Sequence, residues 1–452
     1  MNYFKNPSGL KSLLPMIALF VSGSLFSQGP SGELTLQQCI EYGLSNNPGI
    51  QKTNLETEKN EFRQKETRAA YLPQVNGSIQ VLNNLKLQTQ ILPGELAGTP
   101  GQDVAVQFGT RYNATAAIDA SQILFDQSQI YAMQITKQNS KVTDLNTQKT
   151  KEQLMFDIAS AYYSAQVTFT QQKLVEANLS KIDTLLKLTR IQLENGFAKK
   201  LDVDRLVVNQ TNLQTELANS KMNSEQQLML LKYYMGMPLE STITLPAISP
   251  ENGAANTALV SSETLNMVDI NLTQAQRELY ALNLKQIRAG YLPSLSATFH
   301  GAFQFQQNDF RVFSPDANWF PNSYIGLSLN VPIFDGLSKH ARASQMKIQI
   351  KQSELDEQYL TESVKMQRAN ARNKLNTNLS ALESQQRNIE LANEVYETTR
   401  VQYIGGVVSM TDLVNAENSL KEAQTNYLSS LVQVKLAELD LIKTTGNITT
   451  LN

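Results

Sequence analysis

RAGYLPSLSATFHGAFQF, from Arg288 to Phe305, changes its periodicity midway, and an earlier stretch, RAAYLPQVNGSIQV from Arg68 to Val81, changes in the same way. In both, a charged helical pattern runs into Tyr-Leu-Pro. Pro73 and Pro293 push the residue before them out of the helical region, so a helix has to stop there. Past each proline the pattern has a period of two, the signature of a strand. Val75, Gly77, Ile79, Val81, Leu85 and Leu87 alternate with Asn76, Ser78, Gln80, Asn84 and Lys86. In the later copy Leu295, Ala297, Phe299, Phe303 and Phe305 alternate with Ser294, Ser296, Thr298, His300, Gln304 and Gln306. Return strands alternate likewise, Val106, Phe108, Tyr112 and Ile118 in one case and Ile325, Leu327, Leu329, Val331 and Ile333 in the other. The chain therefore passes from helix to strand twice.

The repetition extends well beyond these stretches. ILFD at Ile123 to Asp126 answers PIFD at Pro332 to Asp335, and RIQLENG from Arg190 answers RVQYIGG from Arg400. Asp202 answers Asp412 and Gly236 answers Gly446, each 210 positions on. A fixed offset of this kind marks a tandem duplication. Between strands and tip each half carries one very long helix, predicted from about Ser128 to Glu194 in the first, with no internal Pro or Gly to end it. Its apolar seam, Leu154, Ile158, Ala161, Ala165, Val175, Leu179, Ile182, Leu186 and Leu193, steps by threes and fours once Thr168, Gln172 and Thr189 fill the remaining places. The seam reappears 210 residues later as Val364, Ala371, Leu375, Leu382, Ile389, Ala392, Tyr396 and Tyr403, with Arg368, Asn378, Gln385 and Thr399 as the exceptions. Such spacing packs helices as a coiled coil, and about 65 residues at about 1.5 Å each span on the order of 100 Å. Returning helices are expected at about Val203 to Met235 and Leu413 to Lys443, with a second pair at about Ser45 to Ala70 and Ser262 to Ala289.

Composition narrows the function classes. A net charge of -2 and the lack of a basic cluster give no reason to expect nucleic acid. Lys5 and Lys11 precede a short apolar run that reads as a secretory signal, cleaved after Ser27 or, as a rival, Ser24. Beyond it no window of 18 apolar residues occurs, so only strands can place the chain in a bilayer. The aromatics Phe310, Phe313, Trp319, Phe320 and Tyr324 suit an interfacial girdle. A soluble sheet with one buried face is the alternative. Four strands cannot close, eight from two copies leave a filled interior, and twelve from three copies leave a channel. The single cysteine, Cys39, allows no disulfide framework, no cofactor motif is found, and His300 and His340 stand apart, so an enzyme is not expected.

With these elements in place the sequence resembles the outer-membrane efflux family, the TolC-like channels. The resemblance lies in LTLQQCIEYGLSNNPGIQ, both YLP motifs, ILFDQ, VPIFDG, and the tips ENGFAKKLDVDRL and IGGVVSMTDLVNAENSL. It implies an α+β fold, a homotrimer whose 12-stranded transmembrane β-barrel takes four strands per chain and joins a coiled-coil periplasmic tunnel. It implies partners too: a periplasmic adaptor (membrane fusion protein), an inner-membrane pump of RND or ABC type, and outer-membrane lipid. The domain order becomes signal peptide 1–27, periplasmic helices 28–70, first strand pair 71–126, tunnel helices and tip 127–237, equatorial linker 238–261, periplasmic helix 262–290, second strand pair 291–335, tunnel helices and tip 336–445, and tail 446–452.

By that resemblance Asp202, Asp412 and Tyr403 match the residues that close the tunnel, with Asp204 beside them. Val408 stands where the family has an arginine and Asn415 where it has a further acid, so Lys199, Lys200 and Asp204 are the candidate substitutes. Three copies of each aspartate at a narrow tip would form a cation-selecting ring, while an aspartate just past a tip also suits a helix N-cap. Gly196, Phe197, Gly406, Val407 and Val408 are the expected adaptor-docking tips, or else plain turn residues. Tyr71, Pro73, Tyr291 and Pro293 mark the helix-to-strand transitions. The resulting expectation is a passive conduit in tripartite efflux or type I secretion. A non-conducting structural periplasmic coiled coil is the alternative.

Overall fold

The computed structural model describes residues 33–96, 98, 100–248 and 267–451. The expected signal segment, the start of the helix predicted from Ser262 and part of the equatorial linker lie outside the described residues.

Two helices open the described chain. α1 (Leu36–Asn46) starts at a reciprocal cap, in which Gln38 N donates to Thr35 Oγ1 and Thr35 N donates to Gln38 Oε1. The helix predicted from Ser45 is in fact broken at Asn47, because Asn47 caps α2 (Pro48–Ala69) and Pro48 takes its first turn. Strand β1 (Gln74–Asn83) comes next, then β2 (Gln88–Leu92), β3 (Val104–Phe108) and β4 (Tyr112–Phe125). The long α3 (Gln127–Glu194) and its return α4 (Lys200–Met235) complete the first half. The second half runs α5 (Val268–Ala289), β5 (Ser294–Gln307), β6 (Trp319–Asn330), α6 (Ser338–Ile404) and α7 (Met410–Thr444).

The strands form one antiparallel sheet in the order β1-β4-β5-β6, with β2 and β3 as a separate hairpin. This corrects the sequence expectation at several points. The alternation through Leu85 and Leu87 does not prolong β1, and Val106 and Phe108 belong to the hairpin rather than to β4. Gly109, at φ 104, makes the break. Val331 and Ile333 lie beyond the end of β6.

Register aligns the alternation across all four strands. Ile79 pairs with Ala116, Ala116 with Phe303, Ala120 with Phe299 and Phe299 with Ile325, so one face is apolar throughout. The opposite face holds Asn76, Asp119, His300 and Tyr324 in a single row. Register also divides the expected aromatic girdle, since Trp319 lies on the apolar face while Phe320 and Tyr324 lie on the polar one. Phe305, expected to point outward, is fully buried, because the segment between β5 and β6 folds Val312 into the cluster around it and its partner in β6, Trp319, packs against its ring.

The apolar seams are the cores of the helical part. One cluster joins α1, α3 and α4 through Ile40, Leu154, Ile158, Ala165, Leu231 and Met235. A second lies near the tips and joins all four long helices through Val175, Ile182, Leu206, Leu213, Tyr396 and Leu413. A third joins α6 and α7 through Ala371, Leu375, Val434 and Leu441. Cys39 is wholly buried in the first, and that burial pushes its thiol up to about 12, far from a reactive thiolate. Coverage is uneven between the halves. α3 buries fourteen residues but α6 only five, leaving Ile348, Leu355, Tyr359 and Met366 of α6 exposed.

Candidate functional site

The two tips are built alike. Each long helix ends in a left-handed glycine, Gly196 at φ 78 and Gly406 at φ 75. The next amide in each reaches back along the last turn, Phe197 N to Gln192 O at 2.8 Å and Val407 N to Gln402 O at 2.9 Å. This closure satisfies the last carbonyls and turns the side chain after the glycine outward. Phe197 is 86% exposed and Val407 75%. Val408 is half-buried.

The aspartates do not occupy the N-cap itself. Ser409 and Lys199 hold that position, and Asp412 and Asp202 sit three residues on. Asp412 Oδ2 accepts from Ser409 Oγ at 2.6 Å and from Ser409 N at 3.0 Å, which holds its carboxyl below the usual range. Asp202 Oδ2 accepts only from Lys199 N, at 3.2 Å, since lysine offers no hydroxyl. Asp204, Lys199, Lys200 and Asn415 are exposed. Tyr403 is half-buried between the hairpins. Burial pushes its phenol up, the Asp202 charge adds to this, and a hydrogen bond with Thr189 opposes it. The charge of Asp202 is thus felt at Tyr403.

A second set of contacts is not visible in the sequence. The hairpins α3/α4 and α6/α7 are tied above the tips by long polar side chains. Arg205 Nη1 donates to Thr411 Oγ1 at 2.6 Å, Asn209 Nδ2 to Glu417 Oε2 at 2.8 Å, and Asn178 Nδ2 to Gln424 Oε1 at 3.2 Å. Lys421 pairs with Glu216, and Lys181 lies over the Tyr396 ring at 5.6 Å. Burial raises the Glu417 carboxyl to about 7, opposed by the bond from Asn209 and by the Lys421 and Lys181 charges. The signal is present as spacing: Glu417, Lys421 and Gln424 step by four and three along one face of α7. Their partners on the first hairpin are remote in sequence, and single-helix periodicity does not reveal them.

At the other end the transition residues are joined to the strand exits. Tyr71 Oη donates to Asp126 O at 2.9 Å, and Asp126 Oδ1 in turn caps α3 by accepting from Ser128 N at 2.8 Å. In the second half Lys339 lies over Tyr291 at 5.2 Å, and its amide donates to Asp335 Oδ2 at 2.9 Å. ILFD thus supplies the N-cap of α3, whereas Asp335 of PIFD stands two residues before the N-cap of α6, Leu337, and accepts from the amide of the helix's second residue. Pro73 and Pro293 stand directly before β1 and β5.

Among the described residues no helix is long and apolar enough to cross a membrane.

Known proteins share this architecture. A family model described as "Outer membrane efflux protein" matches residues 40–236 and 258–447. The chain is similar to the outer membrane protein TolC of Escherichia coli K12, 21% identical over 451 residues, covering 95% of this chain and 86% of that protein. It is also similar to the cation efflux system protein CusC of Escherichia coli O157:H7, 25% identical over 423 residues, covering 90% and 85%. Among solved structures, the outer membrane protein VceC of Vibrio cholerae superposes with a TM-score of 0.69 at 15% identity, covering 91% of this chain and 96% of that one.

Proposed function

Because the chain belongs to the outer membrane efflux protein family, we propose that three copies form a passive channel through the outer membrane and periplasm, fed by an inner-membrane pump through a periplasmic adaptor. The observation that carries this reading is the sheet. Its two faces differ in polarity across four strands in register, and β1 and β6 are open edges. An open edge has to be paired, and three copies make a closed barrel of twelve strands with lipid outside and water within.

The helices fit the same assembly. α3 has 68 residues, on the order of 100 Å at about 1.5 Å per residue, which suits a periplasmic tunnel. Exposed apolar residues recur at heptad spacing on α2 at Leu55 and Phe62, and on α4 at Leu201, Val208, Met222 and Met229. With the stripe on α6, these are the faces that neighbouring copies would cover. At the narrow end Asp202, Asp412, Asp204 and Tyr403 form the constriction, and Ser409 holds the Asp412 carboxyl below its ordinary range. Arg205, tied to Thr411, takes over the bridging role for which Val408 has no charge. Phe197, Val407 and Val408, presented by Gly196 and Gly406, are the surface that an adaptor's helical hairpins would grip.

Single-channel recording of the purified protein in a planar bilayer tests this directly. The expected result is a long-lived, cation-preferring conductance that rises in the double variant Asp202→Ala, Asp412→Ala. A protein that never inserts, and behaves as a soluble monomer, would instead support the structural coiled coil.

A further inference from the structure

Asp119 and His300 are the only Asp, Glu, His, Lys or Arg residues in the four-stranded sheet, and they lie side by side on its polar face. Asp119 Oδ1 and His300 Nδ1 are 2.7 Å apart, and the imidazole stacks on Tyr324, its partner in β6, at 5.1 Å and 28°. The other neighbour of Asp119 is Asn76, in β1. On the same face the adjoining residues are Thr298 and Ala302 along β5, Ala117 and Ser121 along β4, and Asn322 and Gly326 along β6, none of them charged. This is a lone charged row on an otherwise neutral wall.

We infer that the Asp119–His300 pair is a second selectivity element, distinct from the tip, which sets the charge preference of the barrel lumen and changes it with the protonation of His300. The inference rests on the channel reading, because only closure of three copies turns the polar face into a lumen and the row into a ring. A protonated imidazole beside an ionised carboxylate leaves each pair neutral. Once the imidazole loses its proton the carboxylate remains, and three copies leave three negative charges at one level of the lumen. A fixed ring of charge selects permeant ions by sign, and histidine is the side chain suited to change charge near neutral pH. The stacked Tyr324 ring and the bond to Asp119 hold the imidazole at this level in either state. Cations are therefore favoured more strongly as pH rises.

The test is the reversal potential of the bilayer-inserted protein under a salt gradient near 0.1 M, where charge is screened over about 10 Å, at about pH 5 and about pH 8. The parent is expected to show a severalfold rise in cation-to-anion permeability between the two. His300→Asn should hold the high-pH preference at both pH values. Asp119→Asn should shift toward anions at both, most at low pH, where the imidazolium is unopposed. Opposite displacements by two variants of one pair are not what a loss of packing would produce. Glu417, which also titrates in this window but lies in α7, is separated by Glu417→Gln, which should keep the step. Variants whose selectivity follows the parent at both pH values would overturn the inference while leaving the channel standing. Failure of the parent itself to form channels would overturn both.

Discussion

At the scale of single residues, Glu417 ties the stability of the fold to pH. In the folded chain its carboxyl keeps its proton to about pH 7, against an ordinary value of 4.5. The native state therefore holds more protons than the unfolded state between these values. Its contribution to stability is complete below 4.5 and is lost as pH rises through 7. The loss is at most roughly 3.5 kcal/mol, at about 1.4 kcal/mol per pH unit. Glu417→Gln keeps an acceptor for Asn209 and removes the charge, so thermal unfolding measured from about pH 5 to about pH 8 should lose this slope and rise at the alkaline end. An unchanged slope would assign it to other groups. The individual residues of the tip are only partly legible in sequence. Asp202 and Asp412 can be placed near a helix start but not at its third position, because Lys199 does not look like a cap. Glu417 is hidden for a different reason: its burial arises between hairpins, and no local pattern encodes that.

Among the elements, junctions are more telling than interiors. Gly236 ends α4 at φ 69, and a Cβ added there would lie 2.8 Å from Asn47 Cα and 2.9 Å from Asn46 O, at the break between α1 and α2. Asn47 Nδ2 also donates to Tyr234 O at 2.7 Å, so the two helix ends are locked together. Gly236→Ala should cost more than about 2 kcal/mol, since left-handed strain and a backbone clash add. Gly196→Ala, with equal strain but nothing within 4 Å, should cost only about 1–2 kcal/mol. Comparing the two by thermal melting of the helical signal separates clash from conformation. The long helices, the YLP stops and the duplication are readable because proline, glycine and seam spacing act locally. The β2–β3 hairpin is not, because alternation continues through Leu85 and Leu87 while the pairing partner changes. The burial of Phe305 escapes for a related reason, since a period of two fixes the face of a side chain but says nothing of what lies over it.

For the whole molecule, the uneven coverage of α3 and α6 is the informative fact. Leu355 is 54% exposed in the single chain, so Leu355→Glu should leave its helices intact by circular dichroism. If the α6 stripe meets another copy, the same change buries a charge there and should shift detergent-extracted protein from trimer to monomer in light scattering. A variant that stays fully trimeric would place that stripe outside the contact. The open edges at β1 and β6 also have a consequence for inheritance. If three copies close one barrel, it needs both edges of every copy, so a single copy with a spoiled edge disables the two sound ones that join it. In a cell making sound and spoiled chains equally, only about one assembly in eight would be wholly sound. Defects at β1 or β6 should therefore be genetically dominant, whereas defects that merely unfold the chain, and so keep it out of the assembly, should be recessive.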